Sequence, residues 1–188
     1  WFAPPPDGAR TLFLAEPRQA RGIHCRFGMS GLVSEAHWDG SNNMIVQLGG
    51  RRRYILVDPS PSGACDMYLH PLGHPSARQS QVDWSRPDSW LPEFPRFASM
   101  PAHEIVQEPG DALYLPTFYL HFVNSVDTNY QCNARAGREM TRAADTYACT
   151  PGFEKQAASI ADDGAKASSR RGGRRGGRPR QSGQSKRT

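Results

Sequence analysis

The sequence lacks the patterns of several large protein classes. No run of residues approaches the roughly 18 consecutive apolar residues of a membrane-spanning helix, so we expect no membrane contact. There is no glycine-rich phosphate-binding loop and no Gly-x-Ser-x-Gly nucleophile motif, which argues against nucleotide binding and serine-hydrolase chemistry. The four cysteines form no Cys-x-x-Cys pair. We therefore expect reduced thiols in an intracellular protein of the nucleus or cytoplasm.

Acidic residues are absent from the C-terminal end of the chain. From Lys166 onward there are nine basic residues and no acidic one, so the net charge of +5 conceals a mildly acidic body. The Arg-Gly repeats in this end cannot build a hydrophobic core, and we expect residues 164–188 to be a disordered tail. Two interpretations of the tail stay open. It is either a nucleic-acid-binding segment or a nuclear-targeting or solubilising one.

Short strands separated by turn signals fill the middle of the chain. The sequence predicts strands at residues 23–27, 32–37, 43–48, 51–57, 103–106, 112–115, 119–126 and 130–134. This pattern favours an all-β sandwich or barrel over residues 21–136. The Gly49-Gly50 pair predicts a hairpin between the two strands that flank it.

The segments outside these strands have weaker patterns. Residues 60–99 contain several prolines and are predicted to form a long loop, with a helical turn near Trp84–Trp90. Residues 1–20 are predicted to be an extended N-terminal arm, and a chain that opens on Trp1 is expected to be a truncated piece of a longer one. Residues 137–163 are predicted to be weakly helical.

The His37-Trp38-Asp39 tripeptide is the first candidate site. Residues two apart on a strand point to the same face, so His37 and Asp39 can offer an imidazole and a carboxylate to one point. Together with the distant His121 they would form the facial triad of a non-haem Fe(II) oxygenase. A chance His-x-Asp on an ordinary strand is the alternative. The other histidines lie in or beside loops, or can be packed on a strand, and are poorer candidates.

Three consecutive arginines open the strand after Gly49-Gly50. A keto acid bound to Fe(II) needs a cation for its far carboxylate, and Arg52 is placed to supply one. Arg51 and Arg53 alternate with it and should face the other way. A solvated strand face, or a phosphate-binding one, explains the three arginines equally well.

The stretch from Gly28 to Asn133 resembles the JmjC-type (cupin-like) Fe(II)/2-oxoglutarate oxygenases. The resemblance rests on GMSGLVSEAHWDGSNNMIVQLGGRRRYILVDP, HPSARQSQVDWSRPD and PGDALYLPTFYLHFVNS, which occur in the family's order and spacing. Within the family the chain is most similar to asparaginyl hydroxylases of the factor-inhibiting-HIF type. The resemblance implies a double-stranded β-helix (jelly roll) with few short helices and a metal between its two sheets.

The resemblance also implies roles for individual residues. His37, Asp39 and His121 match the iron ligands and catalytic centre. The residues that match the 2-oxoglutarate site are Ser34, Asn43, Asn133 and Arg52, where Arg52 replaces a lysine. The residues that match substrate contacts are Arg78 and Gln79. Arg135 stands where the asparaginyl hydroxylases have a tryptophan beside the target residue. No match to their C-terminal dimerisation helices is visible, so a homodimer is not expected.

The expected function is therefore that of a dioxygenase which uses Fe(II), 2-oxoglutarate and O₂ to hydroxylate a side chain of a protein or peptide substrate. An oxygenase that acts on a histone, a ribosomal protein or RNA is the alternative within the same chemistry. A non-catalytic cupin that only binds a ligand, or a Zn or Mn cupin with other chemistry, remains a further alternative.

Overall fold

Two four-stranded antiparallel sheets make up most of the computed structural model, which describes residues 21–84, 86, 92–137, 143–153 and 155. The strands are β1 (Ile23–Gly28), β2 (Val33–His37), β3 (Asn42–Gly49), β4 (Arg52–Val57), β5 (His103–Gln107), β6 (Ala112–Leu115), β7 (Leu120–Ser125) and β8 (Asn129–Ala136). One sheet has the order β1-β8-β3-β6 and the other β2-β7-β4-β5. This cupin-like architecture confirms the predicted all-β fold class.

The chain changes sheet at nearly every connection, and this corrects the prediction of a hairpin at Gly49-Gly50. β3 pairs with β6 and β8, whereas β4 pairs with β5 and β7, so the two glycines join different sheets. Gly50 has a φ of 62°, and a Cβ there would lie 2.2 Å from the carbonyl oxygen of Thr128. The backbone therefore does need glycine here, but for a tight crossing from one sheet to the other and not for a hairpin.

The space between the sheets is part core and part cavity. On β4 the side chains of Arg52, Tyr54 and Leu56 are buried, while Arg53 and Ile55 alternate with them on the other face. Five buried apolar side chains, which belong to both sheets, pack together here: Ile45, Tyr54, Leu56, Leu115 and Val123. This core closes only part of the space and leaves the remainder to polar groups.

A second apolar cluster lies on the opposite face of the β2-β7-β4-β5 sheet. Phe122, which alternates with His121 on β7, packs there with residues from the segment that follows β4, including Ala64, Met67, Val82 and Phe97. The proline-rich segment thus covers the face of this sheet that points away from the other sheet.

This segment is more ordered than the predicted loop. It contains α1 (Pro61–Asp66) and a short 3₁₀ helix (Phe97–Ser99). Ser60 caps α1 by accepting a hydrogen bond from the Gly63 N–H, and Pro61 occupies the first turn, a pairing typical of helix starts. The predicted helical turn near Trp84–Trp90 falls mostly outside the described residues, as do the arm at 1–20 and the tail at 164–188. Part of the weakly helical segment forms α2 (Ala143–Ala148), and no helix in the described part of the chain is long and apolar enough to cross a membrane.

The expectation of reduced thiols is wrong. Cys25 forms a disulfide with Cys132 across the directly paired positions of β1 and β8. Cys65 of α1 forms a second one with Cys149, just after α2. The spacing of the cysteines in the sequence does not indicate these pairs, because the first bond joins residues 107 positions apart and the second joins residues 84 positions apart. The argument from free thiols for a reducing compartment therefore no longer holds, and localisation stays a prediction.

We expect the Cys25→Ser/Cys132→Ser double variant to lose about 2–4 kcal/mol of unfolding free energy, because the bond closes a long loop of the unfolded chain. Urea denaturation measures this loss. Before any reduction, iodoacetamide should add no mass to the unfolded protein. Alkylation of all four thiols in that experiment would contradict the pairing.

Candidate metal centre

Two distant parts of the chain meet at one end of the space between the sheets. His37 ends β2 and is the register partner of His121 on β7. Asp39 follows β2 by two residues, and its backbone carbonyl accepts a hydrogen bond from the Phe118 N–H at 2.9 Å. Phe118 is fully buried with a φ of 67°, an uncommon conformation for a bulky residue. The hydrogen bond between Phe118 and Asp39 ties the turn before β7 to the segment that follows β2.

The ligand atoms of His37, Asp39 and His121 all lie within 4.8 Å of one another. The Nδ1–H groups of His37 and His121 donate to the backbone carbonyls of Glu35 and Tyr119, at 2.7 and 2.9 Å. These hydrogen bonds fix both rings and leave the lone pair of each Nε2 free to bind a metal. Metal-bound histidines usually donate such a hydrogen bond from their other ring nitrogen. Two imidazoles and one carboxylate in this arrangement fit a divalent transition metal such as Fe(II). In the described part of the chain, no other His, Cys, Asp or Glu cluster of this kind occurs.

Burial keeps both imidazoles neutral. It lowers the pKa of His37, against the opposing effect of its hydrogen bond to Glu35 and of Asp39. Burial, reinforced by His37, lowers the pKa of His121 to about 4. A neutral imidazole is the form that can bind a metal, so both side chains are ready as ligands near neutral pH.

The metal-free protein should lose stability as the pH falls from about 6.5 to about 4. The unfolded chain protonates these histidines near 6.5, while folded His121 does so near 4, so the unfolded state binds more protons in this window. We expect a loss of roughly 1–2 kcal/mol between pH 7 and pH 5, measured by urea denaturation. In His121→Asn this slope should be smaller. An unchanged slope would show that His121 is not the group responsible.

Two guanidinium groups hold the Asp39 carboxylate, which is almost fully buried. Arg135 Nη2 donates to Oδ2 at 2.6 Å, and Arg78 Nη1 donates to Oδ1 at 3.4 Å. Oδ2 is also the oxygen nearest His121, 4.0 Å from its Nε2. These contacts offset the cost of burying the carboxylate and orient it before a metal arrives.

A cavity of about 310 Å³ extends from these ligands along the space between the sheets. Arg52 also lines the cavity and is only 7% exposed. It pairs with Ser125, four residues along β7 from His121, which places it at the far end, and its Nε donates to Asn129 Oδ1. Gly28 makes this position possible, because a Cβ at Gly28 would lie 3.0 Å from Arg52 Nη2 and 2.7 Å from Ser125 Oγ. The neighbouring arginines face outward as predicted, and they pair with Asp127 and Glu104 at the surface.

The amides of Asn43 and Gln131 and the phenol of Tyr54 also line the cavity, and Asn133 contacts Asn43 without lining the cavity itself. Asn133 Nδ2 donates to Asn43 Oδ1 at 2.9 Å, while Asn133 Oδ1 is buried and finds no donor among the described residues. Tyr54 O–H donates to Gln131 at 2.8 Å, and burial raises the pKa of Tyr54 despite the nearby Arg52. A buried cation at one end with amides beside it fits a dicarboxylate bound to the metal at the other end.

The remaining predicted residues lie at the edges of this site. Ser34 lines the cavity from β2. Gln79 forms an isolated bridge with His37, and Trp38 N–H donates to the carbonyl of Arg78, whose guanidinium lies over the Trp38 ring. The proline-rich segment thus reaches the metal ligands, as its predicted role in substrate contact requires.

A family model described as "Cupin-like domain" matches residues 8–135, more than half of the chain. The chain belongs to the cupin-like domain family. Its relatives include "JmjC domain-containing protein D" of Dictyostelium discoideum (31% identical, 57% of this chain and 23% of the relative) and "Lysine-specific demethylase 8" of Danio rerio (32%, 57% and 25%). Another is "tRNA wybutosine-synthesizing protein 5" of Danio rerio, 32% identical over 56% of this chain and 30% of the relative.

The chain is thus similar to proteins of which one is named for the JmjC domain and another as a lysine-specific demethylase. The chain spans about a quarter of the length of the curated relatives it matches. The match therefore shows the family, and it does not distinguish an asparaginyl hydroxylase from other members.

Sequence reasoning missed three polar residues that line the cavity, Arg26, Tyr54 and Gln131. It also missed Asn129, which holds Arg52 by accepting a hydrogen bond from it. A signal for most of them was present. Tyr54 lies two residues after Arg52, while Gln131 and Asn129 lie two and four residues before Asn133, so strand alternation places them on the same faces. Arg26 faces the cavity as the register partner of Gln131, a relation that only the pairing of β1 with β8 reveals.

Proposed function

We propose that this chain is an Fe(II)- and 2-oxoglutarate-dependent dioxygenase that hydroxylates a side chain of a protein, as asparaginyl hydroxylases do. One observation carries the proposal. His37, Asp39 and His121 converge at one end of a cavity that has the buried Arg52 at its other end. The metal and the keto acid together supply the oxidising chemistry. In the overall balance, 2-oxoglutarate, O₂ and a C–H bond become succinate, CO₂ and a C–OH group.

The residues of the chain divide the work. His37, Asp39 and His121 would hold the metal through three ligands and leave its other positions open. Arg52 would bind the far carboxylate of 2-oxoglutarate, with Ser34 as a nearby hydroxyl. Asn43 and Asn133, whose side chains share a hydrogen bond, would orient the co-substrate by donating from their amide N–H groups. Arg78 and Gln79 would contact the side chain of the protein substrate.

The direct test is succinate formation. The protein, loaded with Fe(II) under anaerobic conditions, is given 2-oxoglutarate, ascorbate and O₂, with and without candidate peptides. We expect succinate in the presence of metal, and a gain of one oxygen in a modified peptide by mass spectrometry. A chain that binds 2-oxoglutarate but forms no succinate would be a binding cupin. Zn or Mn as the metal found after anaerobic purification would favour other chemistry.

An RNA substrate is the other outcome to be tested, because one relative is named as a tRNA wybutosine-synthesizing protein. The Arg/Gly-rich residues 164–188 are the candidate segment for such binding. Affinity for RNA that falls steeply as salt rises would support it. Equal RNA affinity in a chain shortened at residue 163 would remove the tail from that role.

A further inference from the structure

Arg135 contacts the proposed metal ligand Asp39, but the proposed function gives it no contact with metal, co-substrate or substrate. It lies on β8 opposite Asn43, and its side chain, one quarter exposed, points toward the metal ligands. Nη2 donates to Asp39 Oδ2. The Nε–H is buried and finds no acceptor among the described residues. A guanidinium has five donors in a fixed fork, and here a buried one is unused.

Charge in the cavity is unbalanced in favour of cations. Its lining includes three arginines, Arg26, Arg52 and Arg135, and one carboxylate, Asp39. The two histidines there would bind the metal as neutral imidazoles and so add no charge. An added Fe(II) and an added 2-oxoglutarate dianion cancel each other, so the cationic excess persists when both are bound. A further anionic group would therefore be attracted to this space.

Arg52 and Arg135 lie at opposite ends of the cavity and can therefore bind two different ligands. Arg52 lies at the far end, where the proposed function uses it for the co-substrate. Arg135 lies at the metal end and contacts the one oxygen of Asp39 that faces His121. A metal held through this oxygen would draw on the electron pairs that Arg135 now shares. Arg78, on Oδ1, would still orient the carboxylate, and the donors of Arg135 would be open to another acceptor.

We propose that Arg135 is the specificity-determining residue of this site and binds a carboxylate, the side chain of an aspartate or glutamate, on the protein substrate next to the metal. This inference rests on the proposed function. A guanidinium pairs with a carboxylate through two parallel hydrogen bonds, which the fork of Arg135 can form with Nε and one Nη. Nucleic acids are instead bound through many exposed phosphate contacts, and a single guanidinium that is three-quarters buried does not offer them.

The experiment compares two pools of fluorescent peptides with blocked ends, random except for a central Asp/Glu in one pool and a central Asn/Gln in the other. Anisotropy is measured with the protein loaded with Fe(II) and 2-oxoglutarate without O₂. We expect the acidic pool to bind about 10- to 100-fold more tightly, because a site built for a charged partner rejects the analogue without it. Arg135→Gln should abolish this preference. Arg135→Lys, which keeps the charge but loses the fork, should retain part of it.

The matched control is Arg53→Gln, which removes a surface guanidinium from the other sheet and should leave the preference unchanged. Metal content is measured on every sample. If Arg135→Gln fails to bind Fe(II), the test becomes the comparison of the acidic preference between Arg135→Lys and wild type. Equal binding of the two pools to wild type, an undiminished preference in Arg135→Gln, or displacement of the acidic pool by single-stranded RNA at equal concentration would overturn the proposal.

Succinate formation by the same samples separates the two proposals. An acidic preference in a protein that forms no succinate would refute the oxygenase and leave the anion site standing. Succinate formation without an acidic preference would support the oxygenase and refute the anion site.

Discussion

His37→Ala is expected to abolish metal-dependent turnover and leave less than about 1% of the parental rate of succinate formation. The change removes one of three protein ligands, and even the loss of an outer hydrogen-bond partner of a ligand costs 10- to 100-fold in affinity or activity. The fold should survive, because His37 lies at the end of β2 and is not part of either apolar cluster. Fe(II) content and succinate formation are measured together, and thermal unfolding checks the fold.

The same loss is expected for Asp39→Ala and His121→Ala. His103→Ala is the matched control, since His103 lies exposed on β5 and outside the ligand group. It should keep its metal and its rate. Full activity in any one of the three ligand variants would overturn the assignment of that residue.

Arg52→Met is expected to raise the KM for 2-oxoglutarate by about 100-fold, which corresponds to about 2.7 kcal/mol of binding free energy. The buried guanidinium is the cation at the far end of the cavity, and methionine replaces it with an apolar chain of similar length. Arg52→Lys should lose less, since the charge remains although the planar fork is lost. Isothermal titration of 2-oxoglutarate into the Fe(II) protein without O₂ measures the effect separately from turnover.

Arg53→Met is the control for this experiment. It removes the adjacent arginine, which pairs with Glu104 at the surface, and should change affinity for 2-oxoglutarate by less than about twofold. A similar loss in both variants would show that the effect comes from general charge. Unchanged affinity in Arg52→Met would remove the assigned role of Arg52.

Period-two alternation explains why much of the site could be predicted. It places Arg52 opposite in direction to Arg51 and Arg53, and the structure has this arrangement. The structure also brings His37 and Asp39 together, although β2 ends at His37 and Asp39 lies two residues beyond it. The convergence of His121 with them depends on the register between β2 and β7. No local pattern encodes that register, and the prediction rested on resemblance to a family.

The features that were predicted wrongly depend on long-range geometry. Gly49-Gly50 allows a tight change of direction, but the same two glycines serve a hairpin or a crossing between sheets, and only the strand partners decide. The cysteines were assigned as free because their separation in sequence carries no sign of pairing. The start of α1 was visible locally in Ser60 and Pro61, and the prolines around it obscured the signal.

The bond between Cys25 and Cys132 has a practical consequence for work on this protein. It ties the edge strand β1 to β8, and β1 carries Arg26 and Gly28, which form the wall beside Arg52. Dithiothreitol in an assay buffer would remove this covalent link and leave β1 held by its pairing with β8. Ascorbate as the reductant, and a host that secretes the chain into an oxidising space, would keep the link beside Arg52 intact.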